Sequence, residues 1–459
     1  MVQAVSFHVT ANSAQNYSTT TISSINNSCL QPLHQLNLKE IVRNDHCYDE
    51  KKVLVPQKLS QRQIVEKEDV KEFGDKGLIT LNKPQAMNTL TGSMLKKINE
   101  VLRQWESTKQ IVMIKGADEK VFCAGGDIKK ISFDLSKPGG TEIVRDAFRQ
   151  LYISSHLVGT FKKPYVAIIN GIVMGGGAGL SIHGKYRVST ETTVFAMPET
   201  RIGYYPNAGA TYFLPRMNGQ LGFYLGLTGY KLKGRDIKLT GISTHHVSSS
   251  RLKELNEVLL APGVVDVGKI LDKFDEHDST AELSLADHSK QIAYCFSGDT
   301  VEEIIKRLKE DNSTWAQSVI ETLEGLSPTG LKITLEIFKR GKTMSFAECL
   351  KMEYVVDCNL VKNESDFEEG VRALLIDKDL LPVWNPKTLA EVTNEYIYNH
   401  FQPICLIDIP IGSFKCIYAG KLLLIKQGAN EGGDYGDEYF AILNYVEVVE
   451  AMKANEEEL

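Results

Sequence analysis

The chain has 459 residues, 42% of them hydrophobic and 24% charged, an ordinary balance for a soluble globular protein with room for about three domains. A net charge of -6 and a pI near 6.0 give no electrostatic reason for nucleic acid or an anionic membrane surface as the main partner. The eight cysteines form no C-x-x-C pair, which argues against a zinc site or a disulfide framework and fits a reducing compartment. No run approaches the roughly 18 consecutive apolar residues of a membrane span.

Residues 1–66 read as a polar leader, disordered or targeting. The first 39 lack Asp and Glu and are rich in Ser, Thr and Asn, yet no Arg precedes Arg43. The ordered chain is expected to begin near Lys67, where "GLITL" gives the first strand. In "GSMLKKINEVLRQWE", Met94, Leu95, Ile98, Val101, Leu102 and Trp105 recur at helical spacing opposite Lys96, Lys97, Glu100 and Arg103, which predicts an amphipathic helix. "QIVMIKG", "KKPYVAIING", "GKYRVST" and "TVFAM" read as further strands separated by helical patterns. Alternating strands and helices predict an α/β core over 67–248.

A polar junction follows from Ser248 to Ser284, within a helical region assigned to 249–403. From Thr300 the pattern is purely helical, with Ser327 and Pro328 as the N-cap and first position of one helix. Residues 404–459 form an atypical tail with two strand-like runs, "ICLIDIPI" and "AGKLLLIK", and an acidic end.

Two glycine clusters lie where strands give way to helices. In "VFCAGGDIKK", Gly125 and Gly126 follow a strand ending at Phe122; in "NGIVMGGGAGLSIHG", Gly175, Gly176 and Gly177 open a helix that includes Leu180 and His183. Unsatisfied N–H groups at such turns can hold an anion or a carbonyl oxygen gaining charge, and two convergent turns meet the requirement of an oxyanion hole. Either cluster alone reads equally as a tight turn or a close helix contact. Neither has dinucleotide or Walker spacing, and no G-x-S-x-G elbow is present.

Glu199 ends the apolar segment "TVFAMPE", a setting that raises proton affinity and suits acid or base work; as a lone Glu it also reads as a surface cap. His183 is expected to make a structural hydrogen bond, and His245 and His246 lack neighbours at metal spacing, so no metal is expected.

Taken together, "ITLNKPQAMNTL", "FCAGGDIKKI", "NGIVMGGGAGLSIHGKYRVST" and "FAMPETRIGYYPNAGATYFLPR" resemble the crotonase (enoyl-CoA hydratase/isomerase) superfamily, and within it the 3-hydroxyisobutyryl-CoA hydrolase family. "SPTGLKITL", "ECLKMEY", "DFEEGVRALLIDKD" and "WNPKTLAEVT" extend the resemblance to Phe401. It implies a spiral of ββα turns followed by a helical region. It also implies an oxyanion hole from the Gly126 and Gly176 N–H groups, Asp127 as a helix-start residue, and Glu199 as the catalytic carboxylate, either nucleophile or base for water. The implied reaction is hydrolysis of a short β-hydroxyacyl-CoA such as 3-hydroxyisobutyryl-CoA, with coenzyme A as part of the substrate and no separate cofactor.

Three positions depart from familiar patterns. Gly179 stands where the hydratase branch has a second glutamate, which disfavours hydration. Asn207 stands where the hydrolases have an Asp thought to engage the acyl hydroxyl or the water, and Leu151 where they have a Glu; both are assigned to substrate binding, with activity reduced by the loss of the acids. The alternatives are a weakened acyl-CoA-binding component of a large assembly such as a mitochondrial ribosome, docked through the tail, and an enoyl-CoA hydratase or isomerase. The resemblance implies a mitochondrial location, with cytoplasmic and peroxisomal ones as alternatives, although "EEEL" is not a peroxisomal signal; a homo-oligomer fits the family.

Overall fold

The computed structural model describes residues 69–403, other than 265 and 362–364, and the segments 414–418, 421–425 and 442–444. The leader reading of 1–66 and the run "ICLIDIPI" lie outside the described residues.

Two sheets are built in alternation. Strands β1 (Asp69–Phe73), β2 (Lys76–Leu81) and β3 (Ile111–Gly116) belong to a six-stranded sheet, and β4 (Val121–Cys123) starts a four-stranded one. Strands β5 (Tyr165–Ile169) and β7 (Tyr186–Ser189) extend the first sheet, while β6 (Ile172–Met174) and β8 (Val194–Ala196) extend the second. β9 (Leu232–Lys233) and β10 (His245–His246) complete them, giving orders β1-β2-β3-β5-β7-β10 and β4-β6-β8-β9. From β3 onward each turn of chain gives one strand to each sheet, with β3-β5-β7-β10 and β4-β6-β8 parallel. This is the ββα spiral that the resemblance implied.

The sequence explains these choices locally. β2, β3 and β5 are short apolar runs buried throughout or nearly so, as strands covered on both faces must be. Helix α1 (Gly92–Thr108) is capped by Thr91, whose side chain accepts from Met94 N, and buries Met94, Leu95, Ile98, Leu102 and Trp105 as its spacing predicts. Helices α2 (Ile128–Leu135) and α3 (Gly140–Thr160) carry the chain from β4 to β5. β1, "DVKEF", has no apolar pattern to announce it; it is an edge strand paired antiparallel with β2.

The stretch from Ser248 to Ser284 is more structured than a polar junction. It contains the helices Leu252–Leu260 and Val267–Phe274, whose Leu255, Leu259 and Leu271 pack against Leu78, Met113, Val166 and Val188 of the six-stranded sheet. The interleaved Lys, Glu and Asp that gave it a polar character occupy the outer faces of short amphipathic helices. Thr300 and Ser327 cap the helices Val301–Asp311 and Pro328–Gly341. In the tail, 414–418, 421–425 and 442–444 form a three-stranded antiparallel sheet, the middle strand falling within "AGKLLLIK".

Candidate active site

Both glycine clusters and Glu199 reach one cavity of about 450 Å³, lined also by Leu151 and Asn207. Its walls come from the loop after β4, the turn between β6 and α4 (Gly176–Gly179), the segment after β8, and α3. The fold therefore gathers all five sequence-predicted site residues around one space.

The two turns approach each other closely. Gly125, at φ +105°, and Gly175, at φ +48°, take backbone conformations that a side chain would strain. A Cβ placed on Gly176 would lie 3.4 Å from the Gly126 nitrogen, and one on Gly125 would lie 3.6 Å from the Gly176 nitrogen. Neither the Gly126 nor the Gly176 N–H donates to another of the described residues. Two free donors on one wall are what a thioester oxygen gaining negative charge requires.

Asp127 follows this turn on the cavity lining as the N-cap of α2, accepting from Lys130 N at 3.1 Å and pairing with Lys83 Nζ at 2.7 Å. The resemblance implied that helix-start position. Cys123, at the end of β4, is fully buried, and burial pushes its thiol up to about 12. It is a packing residue beneath the loop.

Glu199 follows Pro198 at the start of a single helical turn, Glu199–Ile202. It is not a surface cap: it is buried, and its Oε2 accepts no hydrogen bond among the described residues. Burial raises its carboxyl from 4.5 to about 8, the N–H of its own residue offsets part of this, and the negative charge of Glu353 adds to it. A Cβ on Gly175 would come within 2.9 Å of Glu199 Oε1, so the carboxylate lies directly against the second glycine turn.

Helix α4 is shorter than the glycine cluster suggested. It ends at Gly179, and His183 lies in the turns beyond it, three glycines in four residues being poor helix formers. His183 Nε2 contacts the Ala208 carbonyl oxygen at 2.9 Å, the structural hydrogen bond expected. At Gly179 a Cβ would meet Ser155 Oγ at 2.6 Å and the Ala208 Cβ at 3.0 Å, so this position has no room for a second carboxylate. His245 and His246 lie in β10, away from the cavity lining, and no cluster of metal-ligating side chains occurs among the described residues.

Leu151, on α3, faces Gly176: a Cβ there would lie 3.5 Å from Leu151 Cδ1. Asn207 points part of its amide the other way, its Nδ2 donating to Asp357 Oδ2 at 3.3 Å and to Tyr152 Oη at 3.4 Å. Asp357 also accepts from Tyr152 Oη at 2.5 Å, from Tyr204 Oη at 2.6 Å and from Tyr205 Oη. Burial raises its carboxyl to about 6, and the phenols hold it below where burial alone would put it.

One turn away on the same helix, Phe346–Leu360, Glu353 accepts from Gly209 N at 2.7 Å and Thr211 N at 3.1 Å, anchoring the loop that carries Asn207. Its carboxyl is likewise raised by burial to about 8. Sequence reasoning missed both acids. A signal was available: Glu353 and Asp357 are four residues apart, on one helical face, in the largely apolar stretch "MEYVVDCNL".

Two backbone donors and one buried carboxylate thus meet at one cavity, in a chain whose relatives are known. Residues 76–401 match the family model described as enoyl-CoA hydratase/isomerase. The chain is 45% identical over 348 residues to the mitochondrial 3-hydroxyisobutyryl-CoA hydrolase of Danio rerio, covering 74% of this chain and 90% of that one. The chain belongs to the 3-hydroxyisobutyryl-CoA hydrolase family of the enoyl-CoA hydratase/isomerase superfamily. The human mitochondrial 3-hydroxyisobutyryl-CoA hydrolase is 44% identical over 344 residues, covering 73% of this chain and 88% of its own length. Among solved structures, a carnitinyl-CoA dehydratase from Mycobacterium thermoresistibile superposes with a TM-score of 0.69 at 36% identity, covering 74% of this chain and 97% of its own.

Proposed function

We propose that this protein hydrolyses a short β-hydroxyacyl-CoA thioester, 3-hydroxyisobutyryl-CoA or a close analogue, to the free acid and coenzyme A. The observation that carries the proposal is the meeting of Glu199 with the free N–H groups of Gly126 and Gly176 on one cavity wall, in a chain of this family. The thioester oxygen would rest on the two N–H groups, which stabilise the charge that grows there as the carbonyl carbon becomes tetrahedral. Glu199 acts at that carbon, by adding to it or by taking a proton from an attacking water; both routes need the ionised carboxylate.

The lack of space at Gly179 argues against the two-carboxylate hydration of an enoyl-CoA. Coenzyme A enters as part of the substrate, and no further cofactor is proposed. The names of the relatives support a mitochondrial location. The test is release of free thiol from 3-hydroxyisobutyryl-CoA by the native protein and by Glu199→Gln, with crotonyl-CoA hydration run beside it. Thiol release lost in the variant, with no hydration by either protein, is the outcome expected.

A further inference from the structure

Asn207 lines the cavity, whereas neither Asp357 nor Tyr152, the two acceptors of its Nδ2, does so. The amide nitrogen is therefore directed into the protein, and in a planar amide the Oδ1 lies on the opposite side. The reverse orientation would bring a carbonyl oxygen against a carboxylate, two acceptors with no hydrogen between them. Tyr152 cannot reverse this preference, because it already spends its own hydrogen on Asp357 Oδ2 at 2.5 Å and has only a lone pair to offer Asn207.

Asp357 is suited to fix the amide. It is wholly buried, and three phenolic hydroxyls, from Tyr152, Tyr204 and Tyr205, donate to it from α3 and from the loop that leads to Asn207. Those donors favour the ionised form, which accepts from Asn207 more strongly than a neutral acid would. The contact joins the helical region to the loop bearing the site, across 150 residues of sequence.

We infer that Asp357 is a positioning residue: through the Asn207 Nδ2 it holds the Asn207 Oδ1 toward the cavity as an acceptor for the hydroxyl of a β-hydroxyacyl group, so that the pair selects hydroxylated acyl chains over their deoxy analogues. The inference rests on the hydrolase reading given above and adds a specificity device to it. The acid behind the amide takes no part in bond making and does not touch the substrate.

The test compares kcat/KM for 3-hydroxyisobutyryl-CoA and isobutyryl-CoA in the native chain, Glu199→Gln, Asp357→Asn and the exchange variant Asn207→Asp/Asp357→Asn. If Asp357 orients the amide, Asp357→Asn lowers the preference for the hydroxylated substrate by about five- to tenfold, the effect of one substrate hydrogen bond, and leaves isobutyryl-CoA within about twofold. The exchange variant keeps one acid and one amide in contact and restores the preference; it carries the same test should Asp357→Asn fail to fold. An equal fall on both substrates in Asp357→Asn, or no recovery in a folded exchange variant, overturns the inference. Failure of the hydrolase reading is distinguishable, since Glu199→Gln would then retain turnover or the native chain would show none on either substrate, which would overturn the inference with it.

Discussion

Replacing Glu199 by Gln should make the protein more stable as well as inactive, and the gain should depend on pH. The carboxyl has a value of 4.5 in an unfolded chain and about 8 in the folded one, burial being the main cause. The folded state therefore holds this proton more tightly, so stability from this group is complete below about pH 4.5 and is lost as pH rises to about 8. At about 1.4 kcal/mol for each tenfold change in proton affinity, the loss amounts to about 4–5 kcal/mol above pH 8 and about 3 kcal/mol at pH 7. Gln does not titrate, so Glu199→Gln recovers this amount, which already includes the repulsion with Glu353. Urea unfolding of both proteins between pH 5 and 9 would show the two curves parting as pH rises, with the variant the more stable above about pH 6. Curves that stay parallel across that range would refute the claim that the burial of Glu199 is only partly compensated.

The same displacement predicts the pH dependence of activity. In the free enzyme kcat/KM should climb about tenfold for each pH step below about 8 and level off above it, because only the ionised carboxylate is competent; a profile flat from pH 6 to 9 would oppose this. Gly175→Ala places a Cβ 2.9 Å from Glu199 Oε1 at a residue with φ +48°, and the displaced carboxylate should cost about a hundredfold in kcat, read from saturating-substrate assays. Gly179→Ala meets Ser155 and Ala208 and should lower unfolding free energy by about 1–3 kcal/mol, measured by denaturant titration, without creating crotonyl-CoA hydration. Native protein at pH 8 should resist inactivation by iodoacetamide, since Cys123 beneath the first glycine turn is buried with its thiol held near 12; mass analysis would show that residue unmodified.

Much of this architecture was legible in the residues. Strands β2, β3, β5 and β8 follow short, mainly apolar runs, and α1 follows a strict helical spacing, because burial on one or both faces leaves a period in the sequence. Edge strand β1 left no such trace, since an edge needs no apolar face, and the Leu252–Leu260 and Val267–Phe274 helices were hidden by charged outer faces. The glycine turns and Glu199 could each be named, yet only the fold brings their loops together. Glu353 and Asp357 left only a faint trace, for a different reason. Their partners, Gly209, Thr211, Asn207 and the tyrosines, lie between 142 and 205 residues earlier, and a buried acid advertises itself only by interrupting an apolar run.

Asn207 is where the two kinds of information diverge most. As a sequence feature it is a missing acid; in the fold it is an amide in contact with Asp357, so a carboxylate is still present one residue further from the cavity. Restoring an Asp at 207 alone would set two carboxylates against each other in a buried place, which raises proton affinity in at least one of them.

Release of coenzyme A from 3-hydroxyisobutyryl-CoA, followed by a thiol reagent at pH 8 with native protein and Glu199→Gln side by side, tests the proposed chemistry most directly. Turnover by the native protein that falls by at least about a thousandfold in the variant is the predicted result. Equal thiol release by both, or none by the native protein, would contradict it.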